Sequence, residues 1–138
     1  MVKLLVGGKG SGKTKRLIEC VNNALAVSEG NVICIEKEEL LRYQLSYRVR
    51  LVSTDIYGIS GYNAFYGLLC GICAGDHDIT DILVDATLKI GGKDYDELAV
   101  FFEKVSRLSS VSETNFVFTV STDVDNLPQK IKDCCEII

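Results

Sequence analysis

The sequence predicts an α/β domain of three layers, α/β/α, in which helices cover both faces of a mostly parallel sheet of about five to six strands. Short apolar runs, at residues 2–6, 31–35 and 79–85, are typical of buried parallel strands. Longer segments with apolar residues at helical spacing lie between such runs. We expect one domain over residues 1–138, a length that allows a sizeable core.

The first strand leads into a glycine-rich loop that fits the phosphate-binding pattern G-x-x-x-x-G-K-[ST] at every specified position. A helical pattern follows it, and Gly30 is its stop signal. Glycines let the backbone curl around a phosphate, which the loop amides and the positive end of the helix then face. Lys13 is expected to reach the β- and γ-phosphates, and the Thr14 hydroxyl to bind Mg²⁺. The predicted nucleotide-binding residues are Gly7, Gly8, Lys9, Gly10, Ser11, Gly12, Lys13 and Thr14.

The remaining elements are predicted in chain order from their apolar patterns and turn signals. Strands are expected at 31–35, 49–53, 79–85, 115–121 and 136–138, and helices at 36–47, 60–74, from Asp94 to about Leu108, and at 127–133. Asp94 with Glu97 resembles a capping box, Gly91-Gly92 predicts a turn, and Pro128 suits the first turn of the last helix.

Ligands of parallel sheets bind at the carboxyl ends of the strands. Four polar groups end predicted strands there: the loop 7–14, residues 53–55 (Ser-Thr-Asp), Asp85 and residues 121–123 (Ser-Thr-Asp). We therefore expect these four groups to lie together.

With these motifs, the chain resembles a P-loop NTPase of the RecA-like, additional-strand kind over nearly its whole length. The resemblance implies that the loop is a Walker A motif for ATP and Mg²⁺ and that Asp85 orients Mg²⁺ through water in the Walker B role. It also implies that Ser121 or Thr122 senses the γ-phosphate, and that Lys13 and Asp85 carry the catalysis. The implied function is Mg²⁺-dependent ATP binding with slow hydrolysis, the activity of a nucleoside-triphosphatase.

One position departs from that family. Many hydrolysing members have glutamate directly after the aspartate, to orient the attacking water, whereas this chain has Ala86. Either a carboxylate from elsewhere, such as Asp55 or Asp94, takes this role, or hydrolysis is slow and the nucleotide is a switch or a structural ligand. Asp55 also begins a D-x-x-G pattern and is a second candidate for the Mg²⁺ aspartate, but Asp85 follows the more apolar strand and is preferred.

Two other functions remain open. One is a nucleotide-dependent interaction or regulatory module, perhaps a homo-oligomer or the partner of a larger protein. The other is a small-molecule, nucleoside-type kinase, although the chain has no arginine-rich lid. ATP is favoured over GTP because no N-K-x-D guanine motif is present.

Composition limits the partners and the compartment. The net charge is −4 with no basic block, so extended nucleic-acid binding is not indicated. No apolar stretch reaches the ~20 residues that span a bilayer, and the first strand begins directly after Met1, so we expect no membrane segment, no leader and a cytoplasmic location.

The cysteines, the single histidine, a group of arginines and the nearby tyrosines are assigned no part in the site. We interpret the six cysteines as small buried hydrophobes, although Cys70 and Cys73 have the C-x-x-C spacing of redox and zinc sites. His77 is expected to be solvated between two aspartates. Arg42, Arg48 and Arg50 are expected to be surface charges, with action on a γ-phosphate as the alternative. The nearby tyrosines are expected to pack at the core edge or at the surface rather than on a base: Tyr43, Tyr47, Tyr57 and Tyr62.

Overall fold

The structure is a computed structural model that describes all residues 1–138. It contains one six-stranded sheet in the order β3-β2-β4-β5-β1-β6, and all neighbouring strands are parallel. The predicted α/β class, the parallel sheet and the number of strands are confirmed.

Strands and helices alternate along the chain, except that no helix lies between β2 and β3 and that two helices, α3 and α4, lie between β4 and β5. The strands are β1 Val2–Gly7, β2 Asn31–Glu36, β3 Arg50–Ser53, β4 Ile79–Val84, β5 Asn115–Ser121 and β6 Glu136–Ile137. The α-helices are α1 Lys13–Val27, α2 Tyr62–Gly75, α3 Thr87–Gly91, α4 Tyr95–Ser112 and α5 Gln129–Cys134, and a single 3₁₀ turn covers Val124–Asn126. None of these helices combines the length and the apolar character that crossing a bilayer requires.

Two apolar clusters lie on the two faces of the sheet. The smaller one joins Leu17 and Val21 of α1 to alternate residues of the central strands, and Leu41 and Val49 extend it. The larger one joins α2, α4 and α5 to the opposite face and contains a group of aromatic rings: Tyr62, Phe65, Phe101, Phe102, Phe116 and Phe118. The sheet is therefore the middle of three layers, and the clusters fix which residues at its carboxyl edge face which side.

The start of α4 lies where the sequence predicts it, directly after Asp94. The Asp94 carboxylate accepts hydrogen bonds from the amides of Asp96 and Glu97 at 2.9 and 3.1 Å, which satisfies two donors of the first turn. Glu113, in the left-handed conformation with φ 53°, ends the helix.

The predicted helix at residues 36–47 is wrong. Glu36 is the last residue of β2, and its carboxylate accepts hydrogen bonds from the amides of Leu40 and Leu41 at 3.0 and 2.9 Å. Turns follow it instead of a helix, because this side chain takes up amides at the position where a helix would begin.

Two smaller differences concern short helices. Residues 87–91, directly after Asp85, form α3, which the sequence analysis did not predict, and the Gly91-Gly92 turn ends this helix. The last helix begins at Gln129 rather than at Leu127, because Pro128 is its capping residue and not part of its first turn.

Candidate functional site

The loop between β1 and α1 has the backbone of an anion-binding turn. Gly10 and Gly12 have φ of 81° and 85°, a left-handed conformation that favours glycine. The amides of Lys9, Gly10 and Gly12 have no acceptor within the protein, and the Ser11 amide donates to the Gly8 carbonyl at 3.2 Å. The first amides of α1 are also without helical acceptors, so several donors of one loop are free for an anion.

Lys13 spans this loop. Its ammonium donates to the Gly8 carbonyl at 2.9 Å and to the Ser11 hydroxyl at 3.4 Å, and the residue is only 8% exposed. A buried cation held by loop oxygens adds a full positive charge to the partial charges of the free amides. The loop is therefore a concentrated site of positive potential, suited to phosphate.

Asp85, which follows β4, lies beside Thr14 in the first turn of α1, although β5 separates β4 from β1. The Thr14 hydroxyl donates to the Asp85 carboxylate, at 3.1 Å from Oδ2 and 3.3 Å from Oδ1. Both oxygens are types that Mg²⁺ accepts as ligands or as anchors for its water shell. The structure contains no cluster of three His, Cys, Asp or Glu residues that could hold a metal, so phosphate oxygens and waters would have to complete the coordination of Mg²⁺ here.

Thr119 is a site residue that the sequence analysis missed. Its buried hydroxyl donates to Asp85 Oδ1 at 2.7 Å and accepts from the Ala86 amide at 2.7 Å. Ala86 itself is left-handed, with φ 56°. Thr119 thereby fixes both the carboxylate and the strained turn that follows it; a polar residue inside an otherwise apolar strand was the signal that could have found it.

The two predicted γ-phosphate sensors are placed differently. Ser121 is exposed and is paired in register with Gly7, so it lies beside the start of the loop. The Thr122 hydroxyl instead lies 2.6 Å from the Tyr95 hydroxyl and accepts from the Asn126 side chain at 3.3 Å. Of the two residues, Ser121 is the one that is paired with the first residue of the loop.

Three of the four polar strand ends come together. The ends of β1, β5 and β4 are neighbours, so the loop, Ser121 and Asp85 meet. Residues 53–55 end β3, which lies two strands from β4, or about 10 Å at normal strand spacing. This group therefore lies farther along the edge than predicted.

Glu36 ends β2, the strand between β3 and β4, and is a second residue of this edge that the sequence did not lead us to predict. The residue is only 4% exposed, and burial is the main reason why the pKa of its carboxyl group is raised. The two amide hydrogen bonds lower this pKa in part, and the charge of Asp85 raises it further. The same pattern that marked Asp85, an acidic residue at the end of a buried strand, marks Glu36 in the sequence. Two carboxylates close enough to interact therefore end adjacent strands.

The other carboxylates considered for the water-orienting role have other partners. Asp55 accepts a hydrogen bond and ion pair from Lys37 at 3.1 Å, and Asp94 caps α4. Neither contacts Thr14, Lys13 or Asp85. The D-x-x-G aspartate, Asp55, thus lies away from the Thr14 hydroxyl that Asp85 binds.

The remaining candidates lie outside this cluster. His77 is exposed in the loop before β4, at the opposite edge of the sheet, and Arg42 pairs with Glu39 at 2.9 Å. The six cysteines are free thiols, of which Cys34, Cys73 and Cys135 are buried. Burial, with the charges of Glu36 and Asp85, raises the pKa of Cys34 to about 12, which makes it an unreactive small hydrophobe.

No protein-family model matches this chain, and no curated protein matches it.

Proposed function

We propose that the protein binds ATP with Mg²⁺ at the loop 7–14 and hydrolyses it slowly. The observation that carries this proposal is the contact of Thr14 with Asp85 beside a loop that holds a buried Lys13 and several free amides. These are the groups that phosphate and Mg²⁺ require, within one cluster.

In this proposal each residue of the cluster has a part. The free amides and Lys13 bind the β- and γ-phosphates, Thr14 and Asp85 hold Mg²⁺ or its waters, and Thr119 keeps the carboxylate in place. Ser121 lies on the strand next to the loop, where it can contact the γ-phosphate. One strand, β5, stands between β1 and β4, and this added strand supports the resemblance to RecA-like NTPases.

Slow rather than fast hydrolysis follows from the residues around Asp85. Ala86 has no side-chain oxygen, and its amide is bound to Thr119. Glu36 is the nearest other acidic strand end, but both of its oxygens accept backbone amides. Neither Ala86 nor Glu36 therefore offers an unengaged carboxylate to orient an attacking water, and this favours the second candidate, a nucleotide-dependent regulatory module without efficient hydrolysis.

The test compares two aspartates that follow strands at the same edge of the sheet, through the substitutions Asp85→Ala and Asp55→Ala. ATP affinity is measured with and without Mg²⁺, and phosphate release is followed in parallel. We expect Asp85→Ala to abolish the effect of Mg²⁺ on affinity and any phosphate release, and Asp55→Ala to leave both unchanged. Equal effects of the two substitutions, or a Mg²⁺ effect that survives Asp85→Ala, would contradict the assignment. Binding with no phosphate release in the natural protein would select the regulatory module.

A further inference from the structure

The segment at residues 40–48, which we name the tyrosine segment, exposes large side chains that the fold does not use. Tyr43 and Tyr47 are 94% and 96% exposed, and Leu40 is 70% exposed. Single exposed apolar residues are ordinary, but Leu40, Tyr43 and Tyr47 lie within eight residues. Arg42 and Arg48 stand on either side of the two tyrosines, a composition that is typical of an interface anchor.

The backbone of the tyrosine segment is nevertheless fixed. Leu41 is buried in the cluster under α1, as is Val49 directly after the segment. At its start, the Glu36 carboxylate holds the amides of Leu40 and Leu41. The exposed rings are therefore presented on an ordered support, which lowers the entropy cost of docking them.

A groove of about 530 Å³ lies between the first halves of α2 and α4. Tyr66, Val100 and Phe101 give it apolar walls, and Val100 is 52% exposed. Asp96 and Glu97 place two carboxylates along the groove, and one lysine, Lys104, lies over the Tyr66 ring at 5.5 Å. Its volume lies in the range of pockets that enclose ligands of several rings, so it can take aromatic side chains.

The two surfaces complement each other in polarity and charge. The tyrosine segment offers two aromatic rings and the guanidinium of Arg48, since Arg42 is paired with Glu39, and the groove offers apolar walls with two carboxylates and one lysine. Opposite charges at the rim of an interface favour encounter and fix its register. Within one chain the surfaces cannot meet, because the segment is anchored in the cluster on the α1 face and the groove lies over the cluster on the other face.

We propose that the tyrosine segment of one copy docks into the α2–α4 groove of a second copy. The contact uses two different surfaces, so it is heterologous and repeats head to tail into a ring or a filament. Two aromatic rings in one groove make a small contact, so the association is expected to be weak and dependent on concentration. This inference does not rest on nucleotide binding.

The test is sedimentation velocity of the natural chain up to roughly 0.5 mM, a range that detects weak association. Two variants each remove one surface: Tyr43→Ser with Tyr47→Ser for the segment, and Val100→Asp for the groove. Tyr57→Ser, at a 61% exposed tyrosine outside the segment, is the matched control. We expect the average molecular mass to rise with concentration in the natural chain and in the control. Each variant that lacks one of the two surfaces should associate at least about tenfold more weakly.

A mixture gives the sharpest outcome. The segment variant keeps its groove and the Val100→Asp variant keeps its segment, so together they should form a one-to-one dimer that does not grow further. A charge exchange adds a rescue: Arg48→Glu and Glu97→Lys should each weaken association, and their combination should restore it. A natural chain that stays monomeric over this range, loss of association in Tyr57→Ser as well, or no dimer in the mixture would overturn the proposal. Circular dichroism of each variant verifies that these exposed substitutions leave the fold intact.

Discussion

Thr119→Val removes one hydroxyl and keeps the shape of the side chain, in a strand where valine is favoured. Two hydrogen bonds disappear, the one donated to Asp85 at 2.7 Å and the one accepted from Ala86 at 2.7 Å. A hydrogen bond to a charged group contributes about 1.5–3 kcal/mol, and an amide left without a partner costs about 1–3 kcal/mol. Because the two contributions overlap, we expect the free energy of unfolding to fall by about 3 kcal/mol, a large part of the ~5–15 kcal/mol of a typical domain.

Urea denaturation measures this loss, and Thr119→Ser is the control because it retains the hydroxyl. We expect serine to lose less than about 1.5 kcal/mol, mainly from its missing methyl group. A double-mutant cycle with Asp85→Asn should give a coupling energy of about 1–2 kcal/mol, since the two side chains are in contact. If valine changed the unfolding free energy by less than about 0.5 kcal/mol, or if serine were as destabilised as valine, this account of Thr119 would be refuted.

Three further predictions concern the packing and the protonation of the fold. Gly91→Ala places a methyl group against the buried ring of Tyr62, so it should lower the free energy of unfolding by about 1–3 kcal/mol in urea denaturation. Gly67→Ala, which meets open space in α2, should be neutral or stabilising, and equal effects of the two substitutions would contradict this packing. Cys34 should resist iodoacetamide in the native protein at about pH 8, because it is buried and its pKa is raised to about 12. It should react in denaturant, as measured by mass spectrometry, and rapid alkylation of the native protein would refute this prediction. The carboxyl pKa of Glu36 is raised by burial, so the native state holds this proton more tightly than the unfolded state, and the unfolding free energy should fall as pH rises from 4.5 through the native pKa. Glu36→Gln should flatten that part of the pH–stability profile, and a slope that persists unchanged would exclude Glu36 as its source.

The sequence predicted most of the sheet because its strands are continuous apolar runs. It predicted the loop because glycine, lysine and threonine at fixed spacing have few other uses. The start of α4 was predictable because Asp94 caps it through local hydrogen bonds. In each case the signal lay within a few residues of the feature.

Features that depend on contacts between distant residues were not predictable in this way. Residues 36–47 have helical spacing, but Glu36 is the end of a strand and its carboxylate binds the amides that a helix would use. Thr119 enters the site only because β5 lies between β1 and β4, and the strand order is not written in the spacing of residues. Likewise, the sequence prefers Asp85 to Asp55 only through the more apolar strand before it, and the order of the sheet is what brings Asp85, not Asp55, to Thr14.

The central claim is that the loop 7–14 binds a nucleotide through Lys13, and calorimetric titration tests it most directly. ATP, GTP and ADP are titrated with Mg²⁺ into the natural protein, into Lys13→Ala and into Lys15→Ala, an exposed lysine on the same helix. We expect ATP to bind in preference to GTP, with binding lost in Lys13→Ala and retained in Lys15→Ala. Absence of binding by the natural protein, or binding by Lys13→Ala equal to that of Lys15→Ala, would contradict the account.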